Sequence, residues 1–469
     1  MAVASNAAAT LRRKHFETSR LLDFFSQKEL IAQTGHQVTE WPLVLIKELF
    51  DNALDACEEA GIAPEISVEV TPEGIRISDN GPGIPQSVIE SVLDFSVRVS
   101  SREAYVSPSR GAQGNALKTI VAMPFVLMGS GGVEIESQGI RHRIQIDVDR
   151  LRQQPRIEHQ QDSGSISGTS IFIDWPNDAE ASFTPEQHRR FLQNDLPPNE
   201  KASFILSYGK ERFLQFADDY GWLNPHLTLN FCWGDVELEA LSTRQDWSKW
   251  KPSDPTDPHW YTVEDLSRLI AATACHAEQN NQPSPTVREF VSEFRGLSGS
   301  AKQKATCEEA GLLRSRLADL IVDGEISEAD AERLLSAMKQ NARPVKAKQL
   351  GVIGEEHLKA CCLAAGGSES TFEYRKVLHD ADGERPLVVE TCFAYCPSEL
   401  QSRRIVTGVN WSPAIKNPFR QLGAVGQSLD SLLASRYADR SEPIVFALHV
   451  SCPKVSYSDR GKSAVVFEE

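Results

Sequence analysis

Three short segments in the first quarter of the chain carry residue types able to do chemistry. In residues 47–57, Lys-Glu-Leu-Phe-Asp-Asn-Ala-Leu-Asp-Ala-Cys, a helix would bring Glu48, Asn52 and Asp55 onto one narrow stripe. At about 100° per residue, Asn52 lies about 40° round from Glu48 and Asp55 about 20° round on the other side. An acid, an amide and an acid pointing one way, beside an apolar stripe of Leu45, Leu49, Ala53, Ala56 and Ala60, suit the holding of a metal or a water. Asp79-Asn80-Gly81-Pro82-Gly83-Ile84 follows, and then the Gly-rich Ser109-Arg110-Gly111-Ala112-Gln113-Gly114. A Glu and Asn four apart are commonly a solvated face, and a lone Gly-Pro-Gly is commonly a turn. The order and spacing of all three segments point instead to a nucleotide site. There is no Gly-x4-Gly-Lys-Ser/Thr loop, and no Gly-x-Gly-x-x-Gly opens a helix after a first strand, so phosphates must be held in another way.

The elements that position these residues follow from periodicity. Residues 21–33 and 42–60 read as helices, and residues 66–70 and 75–78 alternate as half-covered strands joined by a hairpin-type turn at Thr71-Pro72-Glu73-Gly74. Residues 133–136, 141–148 and 170–173 read as further strands. Mostly antiparallel strands with helices on one face predict an α+β fold whose first part is a two-layer α/β sandwich. The Pro- and Trp-rich stretch 247–260 reads as a linker, and residues 262–339 as helical, with Ser327 and Asp330 giving a capping signal. Strand-like runs return at 387–395 and 444–451. The expected units are a tail or strap at 1–20, a first domain at 21–245, a helical domain at 246–345 and a second α/β domain at 346–469.

The motif series Glu48-x3-Asn52-x2-Asp55, Asp79-x-Gly81-x-Gly83, Gly111-x-Gln113-Gly114 and Gly168-Thr169 resembles that of the GHKL (Bergerat-fold) ATPases. Within them it is most similar to the family of topoisomerase VI B subunits. The resemblance implies ATP and Mg²⁺ as ligands, with Glu48 as the general base for the attacking water, Asn52 as the Mg²⁺ ligand through its amide oxygen and Asp55 acting behind it. It makes Asp79 the acceptor for the adenine amino group, lets the backbone pass close to the base at Gly81 and Gly83, and has Thr169 support the adenine end. Residues 109–117 (Ser109, Arg110, Gly111, Ala112, Gln113, Gly114, Asn115, Ala116 and Leu117) match the ATP lid that wraps the phosphates. Ala116 stands where the family usually has a glycine, and Lys118 is a candidate extra phosphate contact. From the far end, Lys462 in Asp459-Arg460-Gly461-Lys462-Ser463 matches the switch lysine that reaches the γ-phosphate.

The resemblance covers almost the whole chain: Phe24-Phe25 with Glu29-Leu30 ahead of the site helix, Asn224-Pro225-His226 at the end of the ATPase domain, residues 288–299 in a helix-two-turns-helix-like insertion, and residues 349–356 at the entry to a transducer-like domain. It implies a homodimer formed on ATP binding, helped by a strap at 11–20, with double-stranded DNA and a topoisomerase VI A-like cleavage protein as partners. The family's long C-terminal coupling helix has no counterpart before Glu469. A stand-alone regulatory or defence factor clamping DNA or protein is therefore the alternative expectation.

A length of 469 residues exceeds one core's usual size, and no apolar run of about 18 residues offers a membrane span. The N-terminal order, Ala-rich and then basic, is wrong for a secretory signal. The nine cysteines lack a disulfide or zinc rhythm, which predicts free thiols in a reducing cytoplasm. A net charge of −16 excludes a surface coated by nucleic acid but leaves room for local basic clusters, such as Lys339, Arg343, Lys346 and Lys348 or Arg288, Arg295, Lys302 and Lys304.

Overall fold

A computed structural model describes residues 24–95, 105–110, 116–149, 154–177, 184–380, 385–397, 402–422, 426–458 and 464–466. Helix α1 (Gln27–Thr34) is capped by Ser26, whose hydroxyl accepts from the Glu29 amide at 3.2 Å, and it stops at Gly35. Helix α2 (Trp41–Ala60) opens with Pro42 in its first turn, where a missing N–H costs nothing, and ends at Gly61 with φ 70°. Between residues 41 and 58 only Glu48, Asn52 and Ala56 are not buried. This helix is thus embedded on nearly all sides except one thin polar strip.

Alternation builds the sheet beneath it. In β1 (Glu65–Val70), Ile66, Val68 and Val70 are buried while Glu65, Ser67 and Glu69 face out. A turn in which the Thr71 and Gly74 backbones bond each other leads into β2 (Gly74–Asp79). Then come α3 (Gln86–Val92), α4 (Ala116–Met128), β3 (Gly132–Ser137), β4 (Ile140–Asp149), β5 (Gln154–Ser163), β6 (Thr169–Asp174), α5 (Pro185–Leu192), α6 (Pro198–Tyr208), α7 (Lys210–Leu223), β7 (Thr228–Trp233) and β8 (Val236–Ala240). The eight strands run in the order β5-β4-β3-β6-β2-β1-β7-β8, all pairs antiparallel except β1 with β7. Leu45, Leu49 and Leu54 of α2, Ile120 and Met123 of α4 and Phe213 and Phe216 of α7 share one core with Ile66, Ile75 and Ile171 of the strands. This is the expected α+β two-layer sandwich.

A second core belongs to helices α8 (Val263–Gln279), α9 (Val287–Ser292), α10 (Ser300–Glu309) and α11 (Glu328–Asn341), with a small hairpin of β9 (Ile321–Val322) and β10 (Glu325–Ile326) between the last two. The stretch expected to be a linker is not one. Trp250 and Trp260 are buried in this core, and Lys249 bridges to Gly351, because two indoles bury too much apolar surface to be left in solvent. Val106, from the segment ahead of α4, sits in the same core: its N–H donates to the Tyr261 hydroxyl at 3.0 Å and its carbonyl accepts from the Thr256 hydroxyl at 2.7 Å.

The last unit is α12 (Glu355–Ala364) on a five-stranded sheet, with β11 (Glu373–His379), β12 (Leu387–Tyr395), β13 (Arg404–Val409), β14 (Ser412–Pro413), α13 (Leu429–Ala434) and β15 (Ile444–Ser451). Its strand order is β11-β12-β15-β13-β14, and β16 (Ser456–Tyr457) pairs with β17 (Val465–Val466) beside it. Trp222 and Leu223 of α7 are buried in its core, so it is welded to the first unit.

Candidate active site

The end of β2 forms a close-fitting cradle. Asp79 lies opposite Thr169 in the β2–β6 register, and its carboxylate accepts from the Gly81 amide at 2.8 Å and from the backbone and hydroxyl of Thr169. Burial raises the Asp79 pKa against the pull of those donors. A side chain at Gly81 would press within 3.1 Å of the Cys57 sulfur, and one at Gly168 (φ 98°) within 2.0 Å of the Asp79 carbonyl oxygen. Gly83 has φ 83°, and a side chain there would press within 2.7 Å of the Ser137 hydroxyl. Nothing in the sequence marks Ser137, whose hydroxyl accepts from the Ile84 amide at 2.6 Å and so closes the loop. Asn80 pins the other side, accepting from the Glu65 amide and donating to the Ala63 carbonyl, each at 2.9 Å. Cys57 is a protonated thiol here: burial, helped by the Asp79 and Glu58 charges, pushes it up to about 12.

This cradle abuts the C-terminal half of α2. Asn52 and Glu48 lie further back along the same helix, and Glu48 is about 13 Å of helix rise from Cys57. Asn52 is exposed and Glu48 half-buried, both on the polar strip. A hard amide oxygen and a carboxylate there are a donor set suited to Mg²⁺ and an activated water.

Asp55 departs from the expectation. Its carboxylate is turned into the protein, 2.9 Å from Arg110, whose guanidinium is wholly buried. Arg110 was expected with the phosphate-wrapping residues, but its side chain also forks onto Glu58 at 2.7 and 2.6 Å and donates to Asn224 Oδ1 at 2.5 Å. Lys249 reaches the same Glu58 at 2.6 Å, and His226 lies 2.8 Å from it. Burial alone would raise Glu58, but Arg110 and Lys249 outweigh it and hold the carboxyl well below the usual range. Burial and the neighbouring Arg110 pull Lys249 down to about 8, which leaves it charged at neutral pH. Two carboxylates and two cations therefore balance in a dry hub, with Asn224, His226 and Lys249 as members that their residue types did not reveal.

A second cluster shares the inner face of α2. Lys47 donates to Asp51 at 3.0 Å, to Ser412 Oγ and to the Pro413 carbonyl at 3.4 Å, while Ser412 donates to Asp51 at 2.9 Å. The Tyr220 hydroxyl lies 2.8 Å from Asp51 Oδ1. Lys118, a candidate phosphate contact, is buried and donates to the Asp94 carbonyl at 2.6 Å. Ser109 lines a cavity of about 420 Å³ with Glu59, Tyr105, Ser107, Glu293 and residues 252–256. Leu117 packs on the first core. Gly111, Ala112, Gln113, Gly114, Asn115, the side chain of Ala116, the 11–20 strap and Lys462 lie outside the described residues.

Residues 39–172, which contain the cradle and the polar strip, match the family model of histidine kinase-, DNA gyrase B- and HSP90-like ATPases. The chain therefore carries a GHKL ATPase domain, the class that the cradle and helix define. Along its greater length it is similar to the B subunits of type 2 DNA topoisomerase 6. It is 24% identical to that of Archaeoglobus fulgidus over 96% of this chain and 71% of the relative. It is also 32% identical to that of Thermococcus sibiricus over 69% of this chain and 54% of the relative. Residues 39–172 thus carry the ATPase domain, and the similarity to topoisomerase 6 B subunits extends well beyond it.

Proposed function

We propose that the chain binds Mg²⁺-ATP along α2 and hydrolyses it, and that binding drives two copies together as a DNA clamp or gate of the topoisomerase VI B kind. The observation that carries this reading is the single polar strip of an otherwise buried α2, ending against the desolvated Asp79 carboxylate and its glycine cradle. Asp79, half-buried and oriented by Gly81 and Thr169, is placed to accept from the amino group of adenine. Glu48 orients the attacking water and takes its proton, and Asn52 offers the amide oxygen for the cation. Bound Mg²⁺ would neutralise charge on the β- and γ-phosphates. Lys462 completes the site as the γ-phosphate contact from the transducer-like domain. Double-stranded DNA is the proposed substrate, supported by exposed Arg288, Lys302, Lys304, Arg343, Lys346 and Lys348 on or beside the helical unit. A topoisomerase VI A-like protein is the proposed cleavage partner, and the cytoplasm the proposed location.

The test is nucleotide binding and phosphate release by wild type, Glu48→Ala and Asp79→Asn, with sedimentation in the presence of a non-hydrolysable ATP analogue. Glu48→Ala should keep binding and analogue-dependent dimerisation and lose turnover; Asp79→Asn should lose binding. Turnover by Glu48→Ala at the wild-type rate would refute the base assignment. Turnover indifferent to supercoiled DNA at low salt would favour a clamp on a protein partner.

A further inference from the structure

The β13–β14 connection is a two-residue turn, Asn410 and Trp411, between the paired Val409 and Ser412. Both residues have positive φ, 51° and 69°. Such a turn favours Asn followed by Gly, and a bulky indole in the left-handed region is a steric outlier. The surroundings enforce it. Asn410 donates its N–H to the Val450 carbonyl at 2.8 Å, and its side chain exchanges bonds with the Cys452 backbone at 3.0 and 2.9 Å. The Trp411 N–H donates to His449 at 3.1 Å.

The turn then inserts against the inner face of α2. The Trp411 carbonyl accepts from Asn224 at 3.0 Å and from Arg110 at 3.5 Å, and the Lys249 ammonium lies 5.3 Å from its ring centroid. Ser412 and Pro413 engage Lys47 and Asp51. On α2, Lys47, Asp51, Asp55 and Glu58 fall within about 80° of one another, about a quarter turn from Glu48 and Asn52. An apolar contact would seat the helix with less desolvation; directional bonds from one turn to Lys47 and Asp51, and through Arg110 to Asp55 and Glu58, also fix its rotation and register.

We propose that the 410–413 turn is a positioning tab: by clamping the inner stripe of α2, it aligns Glu48 and Asn52 on the outer one for hydrolysis. This rests on the ATPase reading above. Strain held at an interface between two domains, where glycine would relieve it, suits a coupling element rather than a simple loop.

The test compares Ser412→Ala, Ser412→Thr and Trp411→Gly in the full chain, by steady-state phosphate release, nucleotide affinity, and hydrogen exchange at the amides of residues 47–55. Trp411→Gly removes the outlier but also empties a buried indole from the core of the last unit, so its folding is checked first by urea unfolding, and Ser412→Ala with Ser412→Thr carries the test by itself if it does not fold. Ser412→Ala and Trp411→Gly should lower kcat by about ten- to a hundredfold, as sub-ångström misplacement does, with nucleotide affinity within about twofold. Exchange along α2 should quicken, and Ser412→Thr, which keeps the hydroxyl, should restore both. Unchanged kcat in both variants would overturn the tab, as would equal losses in affinity and turnover without rescue by threonine. If wild type shows no Glu48-dependent turnover, the ATPase reading fails; exchange still decides, and protection of α2 equal to wild type in all variants would overturn the tab by itself.

Discussion

Arg110→Met should be among the most damaging single substitutions outside the nucleotide strip. It removes the guanidinium that faces Asp55 at 2.9 Å and Glu58 at 2.7 and 2.6 Å, and leaves two buried carboxylates with Lys249 as the remaining cation of the hub. Breaking a buried ion pair by deleting one partner costs about 3–5 kcal/mol. Asn224 Oδ1 also loses a donor, worth roughly another 1–3 kcal/mol, though the two do not add fully. A loss of about 4–6 kcal/mol would consume much of the roughly 5–15 kcal/mol that holds a domain. Adding Asp55→Asn restores charge balance and should recover about 2 kcal/mol of it. Urea unfolding followed by tryptophan emission reads this directly, because Trp411 lies in the hub and Trp247 stacks on His226 at 4.7 Å. A loss below about 1 kcal/mol for Arg110→Met, or a further loss on adding Asp55→Asn, would refute the balanced-hub account.

Other consequences are as concrete. Gly168→Ala should destabilise by at least about 2 kcal/mol and abolish nucleotide binding, since its methyl would meet the Asp79 carbonyl; an unchanged melting temperature contradicts the cradle. Burial works to raise Glu390, but bonds from His449 and from the Gly354 and Ile353 amides hold it at about 2, below its ordinary 4.5. The unfolded chain takes up that proton first, so about 3 kcal/mol of stability present above pH 4.5 is lost as pH falls toward 2. Glu390→Gln should flatten that acid limb in pH-dependent denaturation; a limb as steep as wild type would count against it. For Lys249 the sign reverses. Its folded value, about 8, lies below the unfolded 10.5, so the unfolded chain binds more protons between the two and stability rises with pH across that window. Lys249→Met should lack this rise when compared with wild type by urea titration at pH 8 and 10; matching slopes would contradict it.

Helix α2 was legible because its apolar period is long and Gly61 stops it. The turn of the cradle was legible because Asp79, Gly81 and Gly83 fall within five residues at the end of a strand, whereas Thr169, 90 residues on, followed only from the family resemblance. Asp55 was misjudged for a geometric reason: at 100° per residue it lies at the edge of both the outer stripe and the inner stripe with Lys47, Asp51 and Glu58. Arg110, brought from 55 residues away, holds its carboxylate on the inner side. Lys249 had no local signal, lying in a Pro-rich stretch that reads as a linker, and Asn410-Trp411 lacks the glycine that marks a hairpin. The β9–β10 hairpin was legible and missed, for Asp323-Gly324 between Val322 and Glu325 is a strong turn signal overridden by the surrounding helical pattern.

Val106 and Arg110 mark the two ends of a tie of fixed length. One is held in the apolar core of the helical unit and the other among the carboxylates of α2. The four peptide steps between them can span no more than about 14 Å. The helical unit can swing or slide relative to α2 only within that radius unless Val106 is drawn into water or Arg110 leaves its carboxylates. Movement of the helical unit and displacement of the backbone leading to residue 111 are therefore mechanically one event.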